Sequence, residues 1–252
     1  MQEDKVCARK PRVLVGACGS VAVVKVPEIA TRLSSEFNAD VKIVWTGNAC
    51  RFNEAAQNYN AKTTDSLKEL VENGTIDSLQ DEDEWHYQHV GKDPVVHIEL
   101  RKWADVFLIA PLSANTLAKI SHGLCDNLLT SVARAWDYNK PMLIAPAMNT
   151  FMWDNPLTGE QLKKMESLGA MVISPVIKTL ACGDTGKLKL LLKNWYQNIN
   201  HRATNRSSYG FVGSGALAPV DEVLRIVVAK FPSQLPTSLD LATDQVSADA
   251  PR

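Results

Sequence analysis

Three short stretches of the chain carry residue types able to do chemistry. The first is Pro146-Ala147-Met148-Asn149-Thr150-Phe151-Met152-Trp153, which follows an apolar run over 142–145. An amide set among methionines and a tryptophan must find hydrogen-bond partners or cost roughly 1–3 kcal/mol. A lone polar group in an apolar wall at a strand end is a common form of ligand site. A capped strand-to-helix turn has the same composition. The second stretch is Gly16-Ala17-Cys18-Gly19-Ser20, placed between a predicted strand and a predicted helix. Its glycines admit close approach of a ligand, and helix N-terminal amides with the Ser20 hydroxyl favour a phosphate. No GxGxxG is present, so one phosphate, hence a mononucleotide, fits better than two. A plain glycine turn is the rival. The third stretch, Pro111-Leu112-Ser113-Ala114-Asn115-Thr116-Leu117, sets hydroxyl, amide and hydroxyl in four residues at another strand end. Ser113 or Asn115 can cap the next helix; alternatively the group faces a planar heteroaromatic ligand.

Two titratable residues complete the set. His97 lies in VVHIELRKWAD, ahead of a predicted strand at Val106, where a structural and a catalytic role are both open. Cys182 lies in TLACGDTG, the most loop-like setting among the five cysteines and one that suits an accessible thiol. No CxxC pair occurs, and no histidine pair has metal-ligand spacing beside a carboxylate, so no metal site is expected.

These residues need elements to position them. Near-continuous apolar runs at 12–18, 41–46, 106–112, 142–148 and 171–176 predict strands buried on both faces. Helical patterns over 21–37, 63–74, 115–136 and 158–169 alternate with them, and 215–231 reads as a final amphipathic helix. Strand–helix alternation predicts an α/β fold, a doubly wound, mainly parallel sheet of the flavodoxin/Rossmann-like kind with helices on both faces. Ligands in such sheets sit beyond the carboxyl ends of the strands. Four of these ends carry small or polar residues: GACGS, TGN, PLSANT and PAMN.

The 252 residues are 45% hydrophobic with a net charge of −1, enough for one sizeable core and without the basic excess of a nucleic-acid binder. No apolar run reaches the ~20 residues of a membrane span, and the charged start MQEDKVCARKPR lacks a secretory h-region. A cytoplasmic protein is expected. Residues 1–11 and the Pro-, Ser- and Asp-containing tail 232–252 read as disordered. Residues 12–231 read as one domain, interrupted at 188–214 by an Asn-rich segment without acids. Translated intron sequence or a gene-model error accounts for that composition; a genuine loop is the rival.

Taken in order, GACGSVA, HIELRKWAD, APLSANTLAKISHGLCDNLLTSVARAW, PAMNTFMW and ACGDTG resemble the flavin-dependent cysteine decarboxylases, within them the branch acting on 4′-phosphopantothenoylcysteine. The resemblance covers roughly residues 11–187 and resumes weakly at Gly215. It implies FMN bound between the subunits of a homotrimer, or of a mixed trimer with paralogues. Gly19, Ser20 and Val21 would approach the flavin phosphate; Thr46, Phe52, Ser113, Ala114, Asn115, Thr116 and Ala147 would line the cofactor. Asn149 would hold the substrate carboxylate or amide, with Met152 packing the wall. His97 would act as acid or base and Cys182 as the final proton donor. The implied reaction, a step of coenzyme A biosynthesis, oxidises the cysteine thiol to a thioaldehyde, loses CO2, and reduces the enethiol to 4′-phosphopantetheine. The family pattern runs almost continuously from CGDTGK to GALAPV, so the 188–214 segment departs from it beside the proposed Cys182 flap. Some relatives are non-catalytic and inhibit a protein phosphatase. That second class usually has long acidic tails, unlike this chain.

Overall fold

The computed structural model of the protein describes residues 9–55, 60–86, 89, 92–175 and 215–231. Among the described residues six strands form one sheet: β1 (Arg12–Ala17), β2 (Asp40–Trp45), β3 (Ile76–Leu79), β4 (Val106–Leu112), β5 (Met142–Pro146) and β6 (Met171–Val172). Their spatial order is β3-β2-β1-β4-β5-β6, and every neighbouring pair is parallel. The doubly wound fold expected from the alternation is therefore present, with its switch point between β1 and β4.

Period-2 alternation along each central strand divides the core into two layers. Val13, Val15, Ala17, Val41 and Ile43 face one side, where they meet α1 (Val26–Ser35), α3 (Ala61–Glu72) and the final helix Val220–Val228. Leu14, Phe107, Ile109, Met142 and Ile144 face the other. There they meet α4 (Val96–Trp103), α5 (Ala114–His122), α6 (Leu128–Arg134) and α8 (Pro156–Ser167). Each such fully buried Leu, Ile or Phe contributes about 1.5–3 kcal/mol. α1 shows how sequence produces an element. Its buried Val26, Ile29, Ala30 and Leu33 recur at helical spacing, a proline opens it, and Arg32 sits in its last turn.

Local details differ from the sequence-based expectation. Residues 21–37 do not form one helix: a 3₁₀ turn, Val21–Lys25, precedes α1. The stretch 115–136 also makes two helices. Gly123, in the left-handed region at φ 77°, closes α5, and Asn127 opens α6 by accepting the Thr130 N–H at 2.9 Å. Of the 171–176 run, the described part 171–175 is strand only at Met171–Val172. β3 escaped the apolar pattern because it is an edge strand in which Ile76 is buried while Asp77 and Ser78 are exposed. The helix α2 (Gly47–Ala55) lay outside the expected helical patterns, whereas the short α7 (Thr150–Trp153) is the capped strand-to-helix turn that was one reading of the first stretch.

Gly215 returns the chain to the sheet. Its carbonyl accepts the Met148 N–H at 2.9 Å, its φ is +116°, and a Cβ there would stand 2.5 Å from the Met148 carbonyl oxygen. Only glycine accepts that backbone and that approach. Gly215→Ala is therefore expected to cost roughly 2–4 kcal/mol, read as a lower midpoint in thermal or urea unfolding.

Candidate functional site

Beyond the carboxyl ends of β1, β2 and β4 lies a crevice of ≈ 280 Å³ lined by Gly19, Thr46, Asn48, Ser113, Asn115 and Thr116. Arg51, Asp81, Lys119, Asp126 and Asn127 also line it. Three of the four expected strand ends thus converge at the switch point. The fourth, PAMN, continues β5 one strand further along, tied to β4 by the Ala147 N–H to Leu112 carbonyl bond at 2.9 Å.

The polar residues here serve the helices first. Thr46 Oγ1 accepts the Ala49 N–H at the start of α2, 3.3 Å, and Ser113 Oγ accepts the Thr116 N–H at the start of α5, 3.2 Å. Asn127 caps α6 in the same way. Three helix starts therefore meet at one crevice, each bringing the partial positive charge of unpaired amides. Two carboxylates temper it. Lys119 Nζ grips Asp126 at 2.6 Å, and this bond holds the Asp126 carboxyl below its usual range. Asp81 takes the Leu128 N–H at 3.1 Å at the head of α6, while burial pushes its carboxyl upward.

Gly19 has a steric reason to be glycine. A Cβ there would sit 2.5 Å from Asn48 Cβ, so the bare backbone lets α2 close against the β1 turn. Ser20, Val21, Phe52, Ala114 and Ala147 do not line the crevice. Ser20 caps the 3₁₀ turn, Val21 and Phe52 are exposed, Ala114 opens α5, and Ala147 is buried. Cys18, beside the crevice, is fully buried, and that burial pushes its thiol up to about 11 despite hydrogen bonds from Thr116 and the Ser113 backbone.

Asn149 caps α7: its Oδ1 accepts the Met152 N–H at 2.9 Å. Because a backbone N–H can only donate, the cap fixes which end of the amide is oxygen and leaves the NH2 group for other acceptors. Met148 is buried, whereas Met152 is half-exposed and Phe151 more so. His97 stands in the first turn of α4. Its Nδ1 lies 2.6 Å from Glu84 Oε1, and its backbone N–H donates to Glu84 Oε2 at 3.1 Å. Glu84 is buried within the 3₁₀ turn Asp81–Trp85. Sequence reading passed over Glu84 and Asp81 because four consecutive acids look like a solvated turn. It also gave no crevice role to Arg51, Lys119, Asp126 or Asn127, although SANTLAKI and CDNLLT contain three of them, while Asn48 lay in the TGN end it named. Cys182 and the 188–214 segment lie outside the described residues. Among the described residues no cluster of His, Cys, Asp or Glu can hold a metal ion, and no helix is long and apolar enough to cross a membrane.

A doubly wound sheet with a polar, amide-rich crevice at its switch point defines a mononucleotide-binding class. Within it, residues 1–197 match the Flavoprotein family, and the chain belongs to that family. A probable phosphopantothenoylcysteine decarboxylase of Arabidopsis thaliana is 49% identical over 186 residues, 74% of this chain and 84% of the relative. The phosphopantothenoylcysteine decarboxylase of Mus musculus is 44% identical, over 71% of this chain and 79% of its own. Among solved structures, a PPC decarboxylase mutant complexed with pantothenoylaminoethenethiol superposes with a TM-score of 0.66 at 40% identity, covering 87% of this chain and 97% of that one. The FMN binding protein AtHal3 gives 0.61 at 39%, covering 87% and 95%.

Two outcomes follow from the site's packing. Gly19→Ala should displace α2 and lower the flavin content of the purified protein, read as flavin absorbance per chain. Adding Asn48→Gly removes the obstructing Cβ and should recover it; full flavin in Gly19→Ala alone would refute the steric argument. Under brief alkylation of the native protein, exposed Cys125 should be modified while Cys18 stays protected until unfolding, as peptide mass mapping would show.

Proposed function

We propose that the chain is an FMN-dependent carboxy-lyase that converts 4′-phosphopantothenoylcysteine to 4′-phosphopantetheine for coenzyme A biosynthesis in the cytoplasm. The observation that carries the reading is the crevice itself, in a chain 49% identical to a probable decarboxylase of this substrate. Its residues suit FMN: helix-start amides and Arg51 for the phosphate, Thr46, Asn115 and Thr116 for hydroxyl and ring polar groups. Its ≈ 280 Å³ falls just short of the roughly 300–1,000 Å³ of small-molecule sites, as half of a shared site does. Phe151, Met152 and Val21 are apolar and exposed in the single chain. Together these support a cofactor site shared between subunits; the trimer, self-made or mixed with paralogues, is what the family resemblance implies.

Loss of CO2 from an N-acylcysteine leaves an electron pair on Cα with no adjacent sink. Bound FMN supplies reversible two-electron oxidation of the thiol-bearing carbon, which creates that sink. The chain's own residues bind and protonate. The Asn149 NH2 group, left over from capping, donates to the substrate carboxylate, and the neighbouring apolar side chains strengthen that bond by excluding water. His97 has Nδ1 committed to Glu84 and exchanges a proton through Nε2, a contribution of ~10²–10⁴ in rate. Cys182 supplies the last proton. The presence of both His97 and Cys182 favours this catalytic reading over the phosphatase-inhibiting one.

The test is incubation of flavin-loaded protein with 4′-phosphopantothenoylcysteine, with CO2 and product followed by mass. One CO2 per substrate consumed is expected. His97→Asn should keep its flavin and lose ~10²–10⁴ in kcat. Flavin-loaded wild-type protein that releases no CO2 would overturn the enzymatic reading.

A further inference from the structure

Glu84 holds His97 with both carboxylate oxygens: Oε1 stands 2.6 Å from Nδ1, and Oε2 accepts the backbone N–H at 3.1 Å. The glutamate is buried and the histidine side chain is only 26% exposed, so water competes poorly for either bond. A carboxylate can only accept. The pairing therefore requires the proton on Nδ1, and neutral His97 keeps its lone pair on Nε2. The five-residue turn carrying Glu84 is fixed at its other end as well. Asp81 lines the crevice and accepts the Leu128 N–H at 3.1 Å, and the Gln80 N–H donates to Asp83 at 2.7 Å. One short turn thus spans the distance between the cofactor crevice and the imidazole.

We propose that Glu84 is the positioning residue of His97, setting its tautomer and ring orientation from the Asp81–Trp85 turn. The proposal rests on the acid–base reading of His97 and deepens it. It also makes a chemical prediction that a purely structural role does not. Glutamine at 84 keeps an oxygen for the His97 backbone N–H, so the start of α4 stays capped. Its NH2 group must then face Nδ1 as a donor, which moves the imidazole proton to Nε2. Nε2 would become a donor where the reaction needs an acceptor. The logic matches the serine-protease triad, where replacing the buried aspartate by asparagine inverts the histidine tautomer and removes most of kcat.

The experiment is NMR of ¹⁵N-histidine-labelled, FMN-loaded protein, with His97 assigned by its loss in His97→Asn, beside steady-state kinetics. Wild type should show Nδ1 protonated and Nε2 bare; Glu84→Gln should show the reverse. Its kcat should fall by at least about 10²-fold with KM little changed and flavin content retained. Glu84→Asp, still an acceptor, should restore the wild-type tautomer and part of kcat. A wild-type His97 protonated on Nε2 overturns the proposal without any variant, even if Glu84→Gln fails to fold. So does a Glu84→Gln protein with an unchanged tautomer or with kcat within twofold. If wild type turns over no substrate, the proposed reaction fails, while the two spectra still decide the role of Glu84.

Discussion

β1 and β4 lie side by side as parallel strands whose onward connections leave in opposite directions. Val13 through Gly16 pair with Val106 through Ile109, and the backbone contact continues past the strand end, where the Cys18 N–H meets the Pro111 carbonyl at 3.3 Å. Because the chain runs on from β1 towards β2 and from β4 towards β5, the loops after the two strands splay apart and leave a gap. α6 packs closely over bare backbone on β1. A Cβ at Gly16 would meet Leu129 Cδ1 at 2.8 Å and Phe107 Cε2 at 3.3 Å. The crevice therefore follows from strand order, and the absence of two side chains, at positions 16 and 19, decides how tightly its walls close.

The walls are then set by capping. Unpaired amides at a buried helix start are costly, so each of α2, α5 and α6 opens on a Thr, Ser or Asn. This requirement alone would fill the gap with hydroxyls and amides. What converts a set of caps into a ligand site is their convergence: three positive helix ends face one another, which would be repulsive without counter-charge. Asp81 and Asp126 supply some of it, the first to the head of α6 and the second to Lys119. Formally, Arg51 and Lys119 balance Asp81 and Asp126, so the remaining preference for an anion comes from the backbone amides.

How much of this was legible in the sequence depends on where a residue's constraint comes from. β1, β4 and β5 are covered on both faces, so their apolar runs announced them; β3, on the edge, had only Ile76 to bury and gave no run. The cap Ser113 and the Thr116 whose N–H it accepts were legible as polar groups at a strand end, and the structure brings both to the crevice with Asn115. Gly19 was legible as a glycine, but its cause, contact with Asn48, is a tertiary fact. Glu84 was illegible. It is buried and holds His97, thirteen residues away on another element, and nothing in the string DEDEW distinguishes Asp81 and Glu84 from the two acids between them.

Asn149 shows why a local reading could not choose between a cap and a ligand group. Both uses draw on one amide, but on opposite ends of it. The Met152 N–H takes the oxygen, which removes the side chain's freedom to rotate and fixes where its donors lie. An unanchored asparagine would lose that rotational entropy on binding. Capping meets the cost during folding, so in the proposed reaction the donors would meet a carboxylate already ordered. The same economy holds for His97, whose backbone and ring are gripped by a single carboxylate. In both cases the interaction that stabilises a helix start also orders the group to which the proposed reaction gives a role, so on that proposal removing either residue would disturb folding and chemistry together. Only substitutions that preserve one end of the side chain and change the other can separate the two.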